Sequence, residues 1–219
     1  MKLSNRLETI ISFVAKGTHV ADIGSDHGHV IIELVNRHIA LSCFGVENKE
    51  GPFKILQKNT KNIANIEISF SDGLEKVPEY YSTAIIAGMG FATIKDIIEK
   101  SMDKLSFIDD LIIDSHTLTY ELRKYICSLG YYIAEEKCLF DKGVFYEIEH
   151  FKKGSKQYTE DDYFFGPLIR LNRDDQFIEH IKSEIFNYQK IVLSHKISPL
   201  RKKEIASKIQ KLIGELNEN

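Results

Sequence analysis

The chain has 219 residues, 43% of them hydrophobic, with 29 Lys and Arg against 32 Asp and Glu and a formal charge of -3. That is enough apolar matter for a packed core and too little positive charge for a wholly basic nucleic-acid binder, so any anion-binding surface must be local. Cys43, Cys127 and Cys138 form neither a disulfide framework nor a C-x-x-C zinc pattern, and Met1 to Arg6 lack a signal-peptide core; reduced thiols in a soluble cytoplasmic protein are the expectation.

Leu3, Leu7, Ile10, Ile11 and Val14 recur at helical spacing and predict an amphipathic helix leading to Gly17. Short apolar runs follow at 20–23, 43–46, 66–70, 84–87 and 111–113, separated by helical stretches at 30–39, 52–62 and 92–100. This alternation predicts an α/β fold with a parallel sheet and crossover helices. A helix through Leu122, Tyr125 and Ile126 then leads to β runs at 131–139 and 144–151 around Asp141-Lys142-Gly143, a hairpin signal. A hairpin closing an otherwise parallel nucleoside-binding sheet is the layout of a Rossmann-like class I methyltransferase domain, expected over residues 1–157.

From Tyr158 the only strand signal is the aromatic run Tyr163-Phe164-Phe165. Phe177, Ile181, Ile185, Tyr188, Ile191 and His195 repeat at intervals of four and three, as do Ile205, Ile209, Leu212 and Leu216, with Ser198-Pro199 as a capped helix start between them. Residues 158–219 are therefore expected to form an antiparallel, coiled-coil-like helical domain.

Each parallel strand ends in polar or glycine-rich residues, namely Asp22 to Gly28, Glu47-Asn48, Asp72-Gly73, Gly88-Met89-Gly90 and Asp114-Ser115-His116. Open α/β sheets bind ligands at that edge. Gly24 and Gly28 give G-x-x-x-G rather than the G-x-G-x-x-G of dinucleotide sites, and the carboxylates of Asp22 and Asp26 repel phosphate. S-adenosylmethionine has no phosphate and carries a sulfonium and an ammonium, so it suits the loop better than a dinucleotide does. In that reading Asp22 and the Gly24 backbone hold the methionine end, with Ile23, Ser25, His27 and Gly28 completing the loop. Glu47, beside Asn48, accepts the ribose hydroxyls, Asp72-Gly73 face the adenine amino group, and Ala87, Gly88 and Met89 close the cofactor site. Asp26 points toward the substrate side and is the candidate for aiding chemistry. Asp26, His27, His29 and His38 lack the spacing of known metal motifs, so no metal is expected.

These residues resemble a known family, the bacterial tRNA adenine N1-methyltransferases that act on position 22. The resemblance runs from Leu3-Ser4-Asn5-Arg6-Leu7 through Ala21 to His27, Glu47 to Phe53, Asp72-Gly73-Leu74 and Ile86 to Gly90, then Tyr146-Glu147 and Gly166-Pro167. It implies an S-adenosylmethionine-dependent enzyme whose C-terminal helices assist tRNA binding. The chain departs from the family at Phe91, where a glycine is usual, and at Asp114-Ser115-His116, which replaces a Gln-Pro-Asn-like segment.

Adenine N1 has a free lone pair, so no general base is needed, and Asp26 either stabilises the cationic product or orders the loop against the cofactor. The Gly88-Met89-Gly90 backbone and His116 are expected to meet the adenine edge, with Phe91 stacking on a base. Lys196, Arg201, Lys202, Lys203, Lys208 and Lys211, then Lys152, Lys153 and Lys156, and finally Lys2 and Arg6, are the expected phosphate contacts. No membrane contact and no obligate protein partner is expected. A methyltransferase for another RNA or a small molecule, a non-catalytic RNA-binding protein and an NAD-dependent oxidoreductase are the competing readings.

Overall fold

The computed structural model describes residues 3–193 and 197–217. They fall into two units, Met1–Leu168 and Ile169–Asn219. The first begins with α1 (Asn5–Ser12), whose first turn is capped by Ser4 accepting the Leu7 N–H. Then follow β1 (Thr18–Ile23), α2 (His29–Asn36), β2 (Ala40–Glu47), α3 (Glu50–Thr60), β3 (Ile66–Phe70), β4 (Thr83–Met89) and α4 (Phe91–Glu99). After a short 3-10 turn come β5 (Asp110–Ser115), α5 (Thr119–Ser128), β6 (Tyr131–Asp141), β7 (Val144–Lys153) and α6 (Glu160–Phe165).

The strands form one sheet in the order β3-β2-β1-β4-β5-β7-β6, with β7 antiparallel to β5 and β6 and every other pair parallel. The central strands read as continuous apolar runs because both faces of the sheet are covered. Ala21, Ile23, Ile86, Leu111 and Ile113 pack to one side with Ile94, Ile98, Leu122 and Ile126 of α4 and α5. Their strand neighbours Val20, Ile85 and Ile112 pack to the other with Ile10, Ile31 and Leu34 of α1 and α2. The chain winds outward through β1, β2 and β3 and returns to β4, so the order reverses between β1 and β4, where a ligand crevice forms.

Two details differ from the sequence reading. The helix expected to run to Ile39 stops at Asn36, because His38 takes a left-handed φ of 53°. The aromatic run Tyr163-Phe164-Phe165 is helical, because Thr159 accepts the Asp162 N–H while the Asp162 carboxylate accepts the Thr159 N–H, a reciprocal cap.

The division between units falls at Leu168 rather than at 157. The reason is Arg123, a fully buried α5 side chain that donates to the Tyr163 carbonyl and to Glu136 Oε1, while Glu136 Oε2 accepts the Leu168 N–H. These bonds hold α6 and Leu168 to the sheet. Gly166 (φ +82°) leaves room for this cluster, since a Cβ there would lie 2.8 Å from Glu136 Oε1 and 2.9 Å from Arg123 Nη2.

The second unit takes in most of α7 (Pro167–Asn172) together with α8 (Asp175–Leu193) and α9 (Pro199–Asn217). Phe177, Ile181, Ile205 and Leu212 are buried. Arg173, just before α8, donates to Glu215 near the end of α9, so the pair is antiparallel. Ser198 caps α9 by accepting the Arg201 N–H. His195 lies outside the described residues. Cys43 and Cys127 are free thiols pushed up to about 12 by burial, which keeps them protonated. Among the described residues no helix is long and apolar enough to cross a membrane.

Candidate functional site

The C-terminal ends of the parallel strands open into a cleft of about 870 Å³. It is lined by the expected Asp22, Ile23, Gly24, Ser25, Asp26, His27, Glu47, Asn48, Asp72, Gly73, Ala87, Gly88, Met89 and His116, together with Arg6. Gly28 is not part of the lining. It precedes α2 with φ +76°, and a Cβ there would lie 2.8 Å from Leu56 Cδ1, so it serves the packing of α2 on α3.

Asp22 is buried at the end of β1. Burial pushes its carboxyl up to about 6, opposed by the Ser25 hydroxyl and reinforced by the nearby Glu47 charge. Gly24 offers the cleft space rather than a donor. Its N–H and that of Ser25 both go to the Val46 carbonyl, at 2.8 and 2.9 Å. At φ +77° a Cβ on Gly24 would come within 2.4 Å of Met89 Cε. The loop therefore spends the Gly24 N–H on β2, and that donor is not the part of the Gly24 backbone open to a ligand.

Glu47 is the most strongly organised acceptor in the cleft. Oε1 takes the Asn48 and Lys49 N–H groups at 3.0 and 2.9 Å, and Oε2 takes the Asp26 N–H at 3.3 Å. A carboxylate has about four acceptor sites, so roughly one remains for a ligand hydroxyl in this arrangement. Asn48 in turn donates to Asp72 Oδ1 at 2.9 Å, and Lys100 stands 3.6 Å from Oδ2, which fixes the acid beyond β3. Asp26 sits in the loop at φ 50° with its side chain largely exposed to the cleft, 3.5 Å from His27 Nε2, and His27 stacks on His29.

At the other end of the cleft β4 carries a bulge at Gly88, where the pairing with β5 steps from Ala87 to Met89. Arg6 fills the space beside it. Its Nε donates to Asp114 Oδ2 at 2.5 Å, its guanidinium lies 5.2 Å from the Tyr146 ring centre, and a Cβ on Gly88 would lie 2.9 Å from Nη2. Arg6 is thus part of the cleft wall, not the free surface cation its place in an N-terminal helix suggested. Asp114 is fully buried, and among the described residues its Oδ1 has no hydrogen-bond partner. The neighbouring His116 has Nε2 3.9 Å from Asp114 Oδ2 and meets the Tyr146 ring edge-on.

Other expected substrate contacts lie elsewhere. Phe91 does not line the cleft and packs edge-on against Tyr125, its N–H bonded to Thr117. Lys152 pairs with Asp110 and Lys153 with Asp109, at the start of β5 and hence at the sheet edge opposite the cleft. The register of the hairpin, invisible in the charge pattern, decides where the two lysines emerge, whereas Phe91, the first residue of α4, is held by its own packing. In the second unit Arg201 is paired with Glu204 at 2.9 Å, while Lys202 and Lys203 lie in the first turns of α9. Lys2 and Lys196 lie outside the described residues.

Arg123 was not anticipated. Three glutamates surround it, Glu136, Glu147 and Glu149, with Glu147 in a very short contact and Glu149 Oε1 at 3.1 Å. Glu149 is fully buried with neither oxygen hydrogen-bonded among the described residues, and burial holds its carboxyl well above the usual range despite the ion pair with Arg123. The two-residue spacing of Glu147 and Glu149 in a strand, both facing one side with Phe151, is the signal that could have revealed it.

Comparison with known proteins agrees with this geometry. A family model described as a methyltransferase domain matches residues 3–148. The chain is similar to the tRNA (adenine(22)-N(1))-methyltransferase of Bacillus subtilis, 29% identical over 202 residues that cover 87% of this chain and 84% of the relative. Sp1610 of Streptococcus pneumoniae, described as a putative tRNA (m1A22) methyltransferase and solved with S-adenosyl-L-methionine, superposes with a TM-score of 0.91 at 29% identity, covering 99% of this chain and all of that one. TrmK of M. capricolum, solved with S-adenosyl-homocysteine, gives 0.88 at 26% identity and 99% coverage of both chains.

Proposed function

The chain belongs to the methyltransferase-domain family, and on that footing we propose that it transfers a methyl group from S-adenosylmethionine to N1 of adenine 22 in tRNA. The observation that carries the reading is the cleft at the β1–β4 switch point, where an anchored Glu47 carboxylate, the buried Asp22 and the side-chain-free Gly24 and Gly88 stand together. These residues fit the cofactor. Glu47 supplies an acceptor for the ribose and Asp72 one for the adenine amino group, while Gly24 and Gly88 leave the room that Met89 and Arg6 take up in the cleft wall. The acidic lining suits a cationic ligand and disfavours a pyrophosphate, which sets aside the oxidoreductase reading.

When bound, the cofactor supplies an electrophilic methyl group on a sulfonium. The acceptor needs no deprotonation, because the N1 lone pair forms the new C–N bond as the C–S bond breaks and the positive charge passes to the adenine. The protein's work is therefore orientation, exclusion of water and stabilisation of that charge. Asp26, exposed on the cleft side of the loop and held through its own N–H by Glu47, faces the developing cation. His116 and the bulged Gly88 backbone form the wall against which the flipped base rests. The second unit carries Arg201, Lys202 and Lys203 for the tRNA backbone.

The test is transfer of labelled methyl from S-adenosylmethionine to unmodified tRNA, with other RNAs and free adenine nucleosides as parallel acceptors. Label in tRNA adenine alone supports the reading. Label in the small molecule or in unrelated RNA replaces its substrate, and cofactor that does not bind at all leaves an RNA-binding protein.

A further inference from the structure

The cleft lining holds five carboxylates, those of Asp22, Asp26, Glu47, Asp72 and Asp96, against three strongly basic side chains, Arg6, Lys49 and Lys100. Such a wall suits a cationic cofactor and repels a phosphodiester chain, so an RNA that presents its adenine here must be gripped beside the cleft rather than by it. The β6–β7 hairpin stands at that place. β7 pairs with β5 only as far as Asp114 opposite Ile148, and Val144 to Glu147 run on past the strand ends, a rise of about 13 Å at the spacing of antiparallel residues. Tyr146 marks its position beside the cleft, with its ring centre 5.2 Å from the Arg6 guanidinium and 5.8 Å from the His116 ring. Register puts Tyr146 on one face with Leu139 and Phe145 on the other with Phe140, the two phenyl rings 5.2 Å apart.

Leu118 belongs to the Phe145 side of the hairpin. The residue after it, Thr119, donates its hydroxyl to Glu147, two residues from Phe145 and on the same face of the strand. Leu118 is anomalous in three ways at once. Its φ of 57° is costly for a leucine, it occupies the N-cap of α5 without a side chain that can cap, and that apolar side chain is 56% exposed. An asparagine would remove all three costs. The loop that carries Leu118 is fixed: the His116 N–H bonds the Met89 carbonyl, the Thr117 hydroxyl accepts the Phe91 N–H, and the Ser115 hydroxyl donates to the Thr117 carbonyl. The leucine is thus held out next to His116, a residue of the cleft lining. At the hairpin tip Val144 is half exposed, and Lys142, at φ 51° in the tight turn with Gly143, is exposed and has no ion-pair partner among the described residues.

Apolar surface for a base and an unspent cation for a phosphate are the two halves of a nucleotide site. We propose that Leu118, Phe140 and Phe145, with Lys142, grip a nucleotide adjoining the target adenine, its base against the apolar group and its phosphate at Lys142. The inference rests on the tRNA reading above, and it gives this surface the base contact that the sequence suggested for Phe91.

The experiment compares the wild-type protein with Leu118→Asn and Lys142→Gln in steady-state methylation and equilibrium binding of unmodified tRNA, beside Tm, S-adenosylhomocysteine affinity and sedimentation. Leu118→Asn should melt no lower than wild type and keep S-adenosylhomocysteine affinity within about two-fold, while its kcat/KM for tRNA falls about five- to fifty-fold, the size of one lost base contact. Lys142→Gln should weaken tRNA binding and reduce the slope of log affinity against log salt by about one. An unchanged kcat/KM in Leu118→Asn, or an unchanged salt slope in Lys142→Gln, overturns the assignment. So does a parallel loss of Tm and S-adenosylhomocysteine affinity in Leu118→Asn, which makes the leucine a structural residue. A wild-type dimer that Leu118→Asn turns into a monomer gives the surface to a second copy instead. Wild-type protein that neither binds nor methylates tRNA removes the substrate reading, and this subsite with it, whereas an active wild type with unaffected variants removes the subsite alone.

Discussion

Arg6 Nε and Asp114 Oδ2 meet at 2.5 Å although 108 residues separate them in the chain. The contact ties α1 to the end of β5 and builds one wall of the cleft. It also compensates a costly burial: Asp114 is inaccessible and its other oxygen has no hydrogen-bond partner among the described residues, so the guanidinium is its principal stabilising neighbour. Asp114→Ala leaves Arg6 unpaired but one-fifth exposed, which predicts a loss of about 1–3 kcal/mol in urea unfolding. Asp114→Asn keeps an acceptor for Nε and should cost less. A larger loss for Asn than for Ala would contradict this account of the pair.

Arg123 and its three glutamates predict an asymmetric response. Arg123→Met strips the counter-charge from Glu136 and Glu147 and should cost about 3–5 kcal/mol. Glu149→Gln should behave differently. Because the folded-state carboxyl is held above its ordinary range, its proton uptake favours the fold at acid pH, and the advantage is lost as pH rises through the raised value. The neutral isostere removes that loss, so Glu149→Gln should match wild type in acid and exceed it in alkali, read as Tm against pH.

His150 gives a second pH prediction at the far edge of the sheet. Its ring is buried, yet Asp110 at 2.6 Å and Glu135 at 2.9 Å outweigh burial and raise its pKa. Asp110 is lowered, since His150 and Lys152 outweigh the effect of burial. The histidine's contribution is complete below its unfolded-state pKa and is lost as pH rises through the raised value. The aspartate's contribution is complete above its unfolded-state pKa and is lost as pH falls through the lowered value. His150→Gln should abolish the decline in stability on the neutral-to-alkaline side; an unchanged Tm profile would show that the imidazole carries no charge in the fold.

How much of this was legible in the sequence depends on what each residue's position was read from. The strand ends were legible because buried parallel strands read as apolar runs and their polar ends stand out, which is why Asp22, Glu47, Asp72 and Gly88 all reach one cleft. Hydrogen-bond allocation was not: nothing in Gly24-Ser25 says that both amides turn to Val46. Nor was register. Lys152 and Lys153 looked like a basic patch, yet their pairing opposite the first residues of β5 sends them away from the site. Arg123 stayed hidden because it sits beside Leu122 in an ordinary amphipathic helix, and its partners come from a hairpin whose facing only the fold reveals.

Asp26 allows a kinetic prediction. Its carboxylate faces the charge that appears during transfer, while the fold uses mainly its backbone N–H. Asp26→Asn should therefore lower kcat by about ten- to a hundred-fold with S-adenosylhomocysteine affinity nearly unchanged, the size expected for one charge-stabilising group. A matching loss of cofactor affinity would place Asp26 in cofactor binding instead.

The central claim concerns a single nitrogen of a single nucleotide. It is tested most directly by mass-spectrometric mapping of two unmodified tRNA transcripts, one with adenine and one with guanine at position 22, after incubation with the protein and S-adenosylmethionine. The account predicts N1-methyladenosine at position 22 of the first and no methylation of the second. Methylation of another nucleoside, or equal methylation of both transcripts, would contradict it.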